Sequence, residues 1–119
     1  MNPARHQNMI EVVRGEIKEY VRRGDEFVST GDLCKKFRLS YISLREVLIK
    51  MVKEDTENGN PLWSSFVAPR AKADMSVTPG MCGMWFAESA KRAGHDIGVR
   101  PSEFVYRQRD LCREIAHQV

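Results

Sequence analysis

The sequence predicts a mainly α-helical fold that includes a small β-hairpin. Apolar residues recur every three or four positions through most of the 119-residue chain, which is the period of amphipathic helices. The stretch after Asn58-Gly59-Asn60-Pro61 departs from this period and has the composition of strands. The length suits one compact domain, or a small domain with an appended helical piece. We therefore expect a first unit at residues 1–78 and a C-terminal helical extension at residues 79–119.

Residues 6–23 predict the first helix. Ile10, Val13 and Ile17 share one apolar stripe, and Gly24 is a natural C-terminal stop. This helix could pack as a scaffold behind the two helices that follow it, or it could cross a nucleic-acid backbone. The two roles are compatible, and the scaffold role is favoured.

Residues 27–53 predict two short amphipathic helices joined by a tight turn. Ser29 or Thr30 can cap the first helix, because a hydroxyl oxygen accepts a hydrogen bond from the unpaired amides of an opening turn. Ser40 can cap the second helix in the same way. Only two residues separate Phe37 from Ser40, so the helices must cross steeply.

The second helix of this pair has one apolar face. A small residue is needed where the two helices touch, and Cys34 stands at that position. The side chains expected to face inward are Leu44, Val47, Leu48 and Met51. This is the helix-turn-helix arrangement, in which the second helix is presented to the major groove of DNA.

The same stretch, residues 27–53, resembles the winged helix-turn-helix DNA-binding regulators, and GntR-type repressors in particular. The matching positions are Leu33-Cys34, Phe37, Leu39-Ser40 and Leu44-Arg45-Glu46-Val47-Leu48. The resemblance implies a winged helix-turn-helix fold and a role in transcription regulation. Two positions differ, because Val47 replaces the usual Ala and Arg38 stands where such turns often have Gly. Arg38 must either accept a left-handed backbone or belong to a different turn.

The charge of this segment favours nucleic acid as its partner. Residues 35–53 contain six basic side chains and one acid, Glu46, which gives a local charge of +5 in a chain whose net charge is +3. A face that is only solvated usually mixes its signs.

The predicted contacts with double-stranded DNA form two groups. Arg45, on the outward side of the second helix, is the best candidate for a bidentate guanine contact. The candidates for base contacts are Tyr41, Ile42, Ser43, Arg45, Glu46 and Ile49. The candidates for phosphate contacts are Lys35, Lys36, Arg38, Lys50, Lys53, Arg70 and Lys72.

Ile42 and Ile49 bear on the choice of partner, because they are seven residues apart and stack on one helix face. On DNA they could pack against thymine methyl groups. In a protein-binding module they would be the apolar anchors of an interface. If the helix is rotated from the expected orientation, both belong to the core.

A wing is predicted after the second helix. Its arms are expected at Leu62–Val67 and Met75–Thr78, with Arg70 and Lys72 at the tip, and Phe27-Val28 is expected to form a short strand that pairs with it. A basic tip can contact phosphates or enter the minor groove, and an ordinary surface loop is an equally good interpretation.

Strand geometry also predicts where two aromatic side chains lie. Trp63 and Phe66 would point to opposite faces of a strand. One of them is therefore expected in the core and the other nearer the surface.

The C-terminal extension is predicted to be a helical pair. Residues 81–93 suggest one helix that ends at Gly94, and Pro101 opens another, with Ile115 on its inner side and Arg109 outside. From Gly80 onward, six basic and five acidic residues nearly balance, so this half is expected to serve packing or dimerisation. The candidates for a homodimer interface are Trp85, Phe86, Phe104 and Leu111.

The residue patterns do not suggest catalysis. Cys34, Cys82 and Cys112 are widely spaced and form no C-x-x-C pair, so reduced core cysteines are expected. A Cys–His pair could assemble from Cys82 or Cys112 with His95, but buried cysteines and helix-end histidines are common in proteins that catalyse nothing. We therefore expect no enzymatic activity, no metal and no cofactor.

Membrane and export signals are also missing from the sequence. No apolar run approaches the roughly 18 residues that a membrane span needs, and the N-terminal residues lack the apolar core of a signal peptide. A cytoplasmic protein is expected.

Two functions of different classes remain. One is a sequence-specific double-stranded DNA-binding regulator that acts as a homodimer. The other is a protein-interaction adaptor or inhibitor built on a winged-helix scaffold. The fold cannot separate them, because winged helices serve both purposes.

Overall fold

The structure, a computed structural model, describes residues 3–25, 27–68, 91, 94 and 101–118. Within these ranges the protein is mainly helical, with one small sheet of two parallel strands. The helices are α1 (Pro3–Arg22), α2 (Thr30–Phe37), α3 (Tyr41–Glu57) and α4 (Pro101–Ala116), together with a 3₁₀ helix at Trp63–Phe66. The strands are β1 (Val28–Ser29) and β2 (Val67–Ala68).

Helix α1 supplies one wall of the core. Ile10, Val13, Ile17 and Val21 recur at helical spacing, and all four are buried. Past the end of the helix the chain turns at Gly24, whose φ of 89° is open to glycine at little steric cost. The predicted stripe and its stop are confirmed, and α1 packs against both α3 and α4.

The caps of α2 and α3 form as the sequence predicts. The Ser29 hydroxyl oxygen accepts from the Gly31 amide at 3.1 Å, and the Ser40 hydroxyl oxygen accepts from the Ser43 amide at 3.1 Å. Between the helices, Arg38 adopts a left-handed backbone with φ 54° and ψ 47°. Of the two possibilities for this turn, the chain therefore takes the strained one without glycine.

The inner face of α3 is the predicted one. Leu44, Val47, Leu48 and Met51 are each 0% exposed and belong to the hydrophobic core. Cys34 is partly buried against the same core, where α2 and α3 meet. The opposite side of α3 is therefore turned away from the core.

The segment after α3 corrects one prediction. Trp63–Phe66 is a 3₁₀ helix and not a strand, and both aromatic side chains are buried. The reason is geometric, because residues three apart lie on the same side of a 3₁₀ helix. Trp63 and Phe66 can therefore enter the core together, whereas a strand would have separated them.

The small sheet is parallel, with Val28 paired to Val67 and Ser29 to Ala68. The predicted strand before the helix-turn-helix is therefore present, one residue later than expected. It pairs with the strand that follows the 3₁₀ helix, so the two described strands do not form a hairpin with each other. The wing tip at residues 69–74 and the returning strand at Met75–Thr78 lie outside the described residues.

Helix α4 begins at Pro101 as predicted, but a different face is buried. Cys112 is 0% exposed and Arg109 only 2%, whereas Leu111 and Ile115 are exposed. The expectation that Ile115 lies inside and Arg109 outside is wrong. Arg109 is accommodated because its guanidinium lies 4.1 Å from the centre of the Phe66 ring and donates to the Ser65 carbonyl at 3.3 Å. Helix α4 thereby packs on α1 and on the 3₁₀ helix.

Gly94 has the conformation that a C-terminal helix stop requires. Lys91 is helical, and the Gly94 amide donates to its carbonyl at 3.0 Å, with a φ of 84° at Gly94. The other residues of the predicted helix at 81–93 lie outside the described ranges, apart from Lys91. No helix among the described residues is long and apolar enough to cross a membrane.

Candidate nucleic-acid interface

The outer face of α3 presents the residues predicted to contact bases. Ile42 is 71% exposed, and Glu46 is exposed one turn later. Arg45 and Ile49 are partly exposed, and so is Tyr41 at the first position of the helix. The alternative in which Ile42 and Ile49 both belong to the core is therefore excluded, because Ile42 is exposed.

Ser43 has a structural task at this position. Its amide donates to the Ser40 hydroxyl oxygen, and the two hydroxyl oxygens lie 3.0 Å apart. The Ser43 side chain therefore supports the N-cap of α3, and a contact from it to a base would compete with that role.

The predicted phosphate contacts lie on α2, in the turn and along α3. Lys35, Arg38, Lys50 and Lys53 are all exposed. Since α2 and α3 pack on each other, these positive charges belong to neighbouring elements of one motif. Arg70 and Lys72, the residues of the predicted wing tip, lie outside the described residues.

Lys36, one of the cations of this group, pairs with a carboxylate on α1. Its Nζ lies 2.8 Å from Oε1 of Glu16, whose side chain is only 16% exposed. Lys36 would have to share its charge between this carboxylate and a phosphate. The ion pair links α2 to α1, and α1 also packs against α3.

A shallow cleft opens between the starts of α2 and α3. Its volume is about 250 Å³, and it is lined by Thr30, Gly31, Cys34 and Tyr41. Cys34 is not part of a disulfide. Tyr41 therefore borders both the outer face of α3 and this cleft.

A buried ionic cluster behind the motif was not foreseen from the sequence. Nη2 of Arg14 lies 2.8 Å from Oδ1 of Asp55, which is 0% exposed, and Arg14 also pairs with Glu11 and Glu54. Burial raises the pKa of Asp55 to about 6, against the attraction of the Arg14 guanidinium. The cluster joins α1 to the C-terminal end of α3.

The signal for this cluster was present in the sequence. Arg14 follows Ile10 by four residues, and Asp55 follows Met51 by four, so each lies on the apolar stripe of its helix. Two opposite charges on inward stripes of neighbouring helices predict a buried pair.

The described residues bear on two alternatives, a metal site and a reactive cysteine. They contain no group of three or more His, Cys, Asp or Glu side chains that could hold a metal ion. Cys112 lies in the core, where burial raises the pKa of its thiol to about 12. The other members of the Cys–His alternative, Cys82 and His95, lie outside the described ranges.

The residues predicted for a dimer interface are only partly described. Leu111 is 44% exposed on α4. Phe104 belongs to the same helix, but its side chain lies outside the described part. Trp85 and Phe86 lie outside it altogether.

Comparisons with known proteins give no assignment. No protein-family model matches the chain, and neither a curated protein nor a solved structure shows significant similarity to it.

Proposed function

We propose that this protein is a sequence-specific double-stranded DNA-binding regulator of transcription, built on a winged helix-turn-helix. The main support is the arrangement of α3. Its N-terminus is capped by Ser40, its inner face is fully buried, and its outer face displays Ile42 and Arg45 beside exposed cations. A helix held this way after a two-residue turn fits the major groove of B-DNA.

Sequence reading is assigned to the outer face of α3. Arg45 is the guanine-reading residue, because a guanidinium can donate two hydrogen bonds to O6 and N7 of guanine. Ile42 packs against a thymine methyl group, which places an A·T pair within the site. Tyr41, Glu46 and Ile49 complete the base-facing set.

Affinity comes from the phosphate contacts. Lys35, Arg38, Lys50 and Lys53 are exposed on the motif, and Lys36 joins them when it leaves Glu16. Arg70 and Lys72 would add a wing contact beside α3. Each neutralised phosphate releases condensed counterions, so these contacts give binding to any sequence.

The regulator acts as a homodimer through residues 79–119, with Trp85, Phe86, Phe104 and Leu111 as interface candidates. Two linked modules bind two half-sites far more tightly than one module binds one half-site. The exposure of Leu111 supports this assignment.

A protein-interaction module is the second candidate function, and the exposure of Ile42 favours it as well. A β-branched apolar side chain that is 71% exposed is also a suitable anchor for a protein interface. Lys50 and Lys53 would then be the polar rim.

An electrophoretic mobility shift with genomic duplex fragments separates these functions. The DNA-binding proposal predicts discrete shifted bands that survive excess nonspecific competitor, and sequencing of the retained fragments should give a common motif. Complexes that disappear at low competitor would indicate phosphate contacts only. Absence of any shift at low salt would favour a protein partner.

A further inference from the structure

Helix α4 displays an apolar stripe that the described part of the chain leaves partly exposed. Leu111 is 44% exposed and Ile115 is 38% exposed, four residues apart on one side of the helix. The core-facing side of α4 is a different one, formed by Arg109 and Cys112. The sequence continues the stripe toward the N-terminus, because Phe104 precedes Leu111 by seven residues.

Opposite charges flank this stripe on one side. Arg107 and Glu114 are exposed and seven residues apart, so they lie on the same side of the helix, and Glu114 directly precedes Ile115 of the stripe. In the described part of the chain neither makes an ion pair, whereas the neighbouring Asp110 and Arg113 pair with each other at 3.2 Å. The edge of the stripe is therefore positive at one end and negative at the other.

We infer that α4 pairs antiparallel with α4 of a second copy of this chain, with Leu111 and Ile115 in the contact and Arg107 of each copy beside Glu114 of the other. This inference rests on the proposed homodimer and specifies its interface.

The direction of the pair follows from heptad geometry. If Leu111 and Ile115 are core positions of a helix pair, Arg107 and Glu114 both occupy the flanking position just before the core. In an antiparallel pair such positions face each other, so the two-fold axis gives two identical Arg–Glu pairs. In a parallel pair, Arg107 would instead face the residue five positions later on the partner helix, which is Cys112. Cys112 is buried in the core of its own subunit and could not make this contact.

The charges beside the stripe also favour a second copy of the chain as the partner of α4, because Arg107 and Glu114 complement each other. An unrelated partner would need a matching acid and base at the same spacing, whereas the chain provides both on the same edge. Gln108, which follows Arg107, ties α4 to the rest of the chain, because its Oε1 accepts from the Leu62 amide at 3.0 Å. The stripe is therefore presented on a helix that is anchored to the rest of the chain.

Charge reversal with recombination tests this pairing. Arg107→Glu and Glu114→Arg, made separately in the full chain, should each weaken self-association at least about tenfold at low salt, because each creates two like-charged contacts. An equimolar mixture of the two variants should recover association as a heterodimer, since every contact across the axis is then between opposite charges. Sedimentation velocity at low salt provides the measurement, and Arg22→Glu, at an exposed site on α1, is the matched control.

The possible results separate this inference from the broader proposals. Recovery in the mixture excludes misfolding as the cause of the single-variant defects. A wild-type dimer that neither reversal weakens would overturn the α4 pairing and leave the homodimer in place. A wild-type monomer at concentrations of tens of micromolar would overturn both, while DNA binding is measured independently by mobility shift.

Discussion

Arg45 is the residue on which specificity is expected to depend. It is partly exposed on the outer face of α3, and a bidentate contact with guanine supplies about 1–3 kcal/mol of discrimination. Arg45→Ala should therefore weaken binding to the selected site by about tenfold to a hundredfold, and binding to random duplex much less. Fluorescence anisotropy with the two duplexes measures both. Arg22→Ala removes an exposed Arg at the end of α1 and should change neither. Equal losses on both duplexes would make Arg45 a phosphate contact.

Arg38 is expected to lower the stability of the folded protein and to raise its affinity for DNA. Its left-handed backbone (φ 54°) costs a non-glycine residue roughly 1–2 kcal/mol. Arg38→Gly should therefore raise the melting temperature slightly, while it lowers affinity for all DNA sequences alike and makes the salt dependence shallower by about one counterion. Arg38→Lys, which keeps the charge and the strain, should change both little. A loss of stability in Arg38→Gly would show that the Arg38 side chain holds the turn.

Asp55 predicts an unusual dependence of stability on pH. Its pKa in the folded protein is raised from 3.8 to about 6, because burial outweighs the attraction of Arg14. The folded state therefore binds this proton more tightly than the unfolded state. The stabilising contribution is fully present below about pH 4 and is lost as the pH rises through 6, to a total of about 3 kcal/mol.

The change Asp55→Asn should remove this contribution. The free energy of unfolding, measured by urea denaturation between pH 4 and 7, should then fall less with rising pH than in the wild type. Asp110→Asn, at an exposed site on α4, should keep the wild-type profile. An unchanged profile in Asp55→Asn would show that Asp55 is ionised throughout this range.

At the scale of single elements, α3 is the best predicted part of the chain. Its cap, its inner face and its exposed Ile42 all agree with the sequence, because a helix that begins at a fixed cap has one way to bury Leu44, Val47, Leu48 and Met51 together. The 3₁₀ helix and α4 were harder to predict. Trp63 and Phe66 fit two local conformations, and only the shape of the core selects between them. Arg109 is buried because its guanidinium contacts the Phe66 ring and donates to the Ser65 carbonyl. Both partners are distant in the sequence, so the pattern around Arg109 does not predict its burial.

The exposed face of α3 gives the prediction at this scale. The double change Ile42→Ser and Ile49→Ser should abolish specific DNA binding and lower the melting temperature only slightly, since Ile42 is 71% exposed and Ile49 is partly exposed. Thermal unfolding and mobility shift on the same samples test this. Intact DNA binding with unchanged stability would favour a protein partner. A large fall in melting temperature would place Ile49 in the core, and Val12→Ser, at an exposed position on α1, is the control.

At the scale of the whole molecule, the described chain is a helical core with a basic helix-turn-helix on one side and α4 packed across α1. The sequence predicts the helix-turn-helix because caps, turn length and charge act over a few residues. It predicts long-range features less well. The parallel pairing of Val28 with Val67 and the bridge from Arg14 to Asp55 both join residues about 40 positions apart. Such contacts depend on how α1, α3 and the 3₁₀ helix meet.

The salt dependence of DNA binding tests the central claim most directly, because it counts the phosphates that the basic surface neutralises. If about five of the exposed cations bind phosphates, the logarithm of the association constant should fall with the logarithm of salt concentration with a slope of roughly −4 to −5. The variant Lys35→Glu should make the slope shallower and weaken binding to every sequence alike, whereas Lys91→Glu, at an exposed site outside the motif, should not. A slope near zero for the wild type would contradict nucleic acid as the partner of this protein.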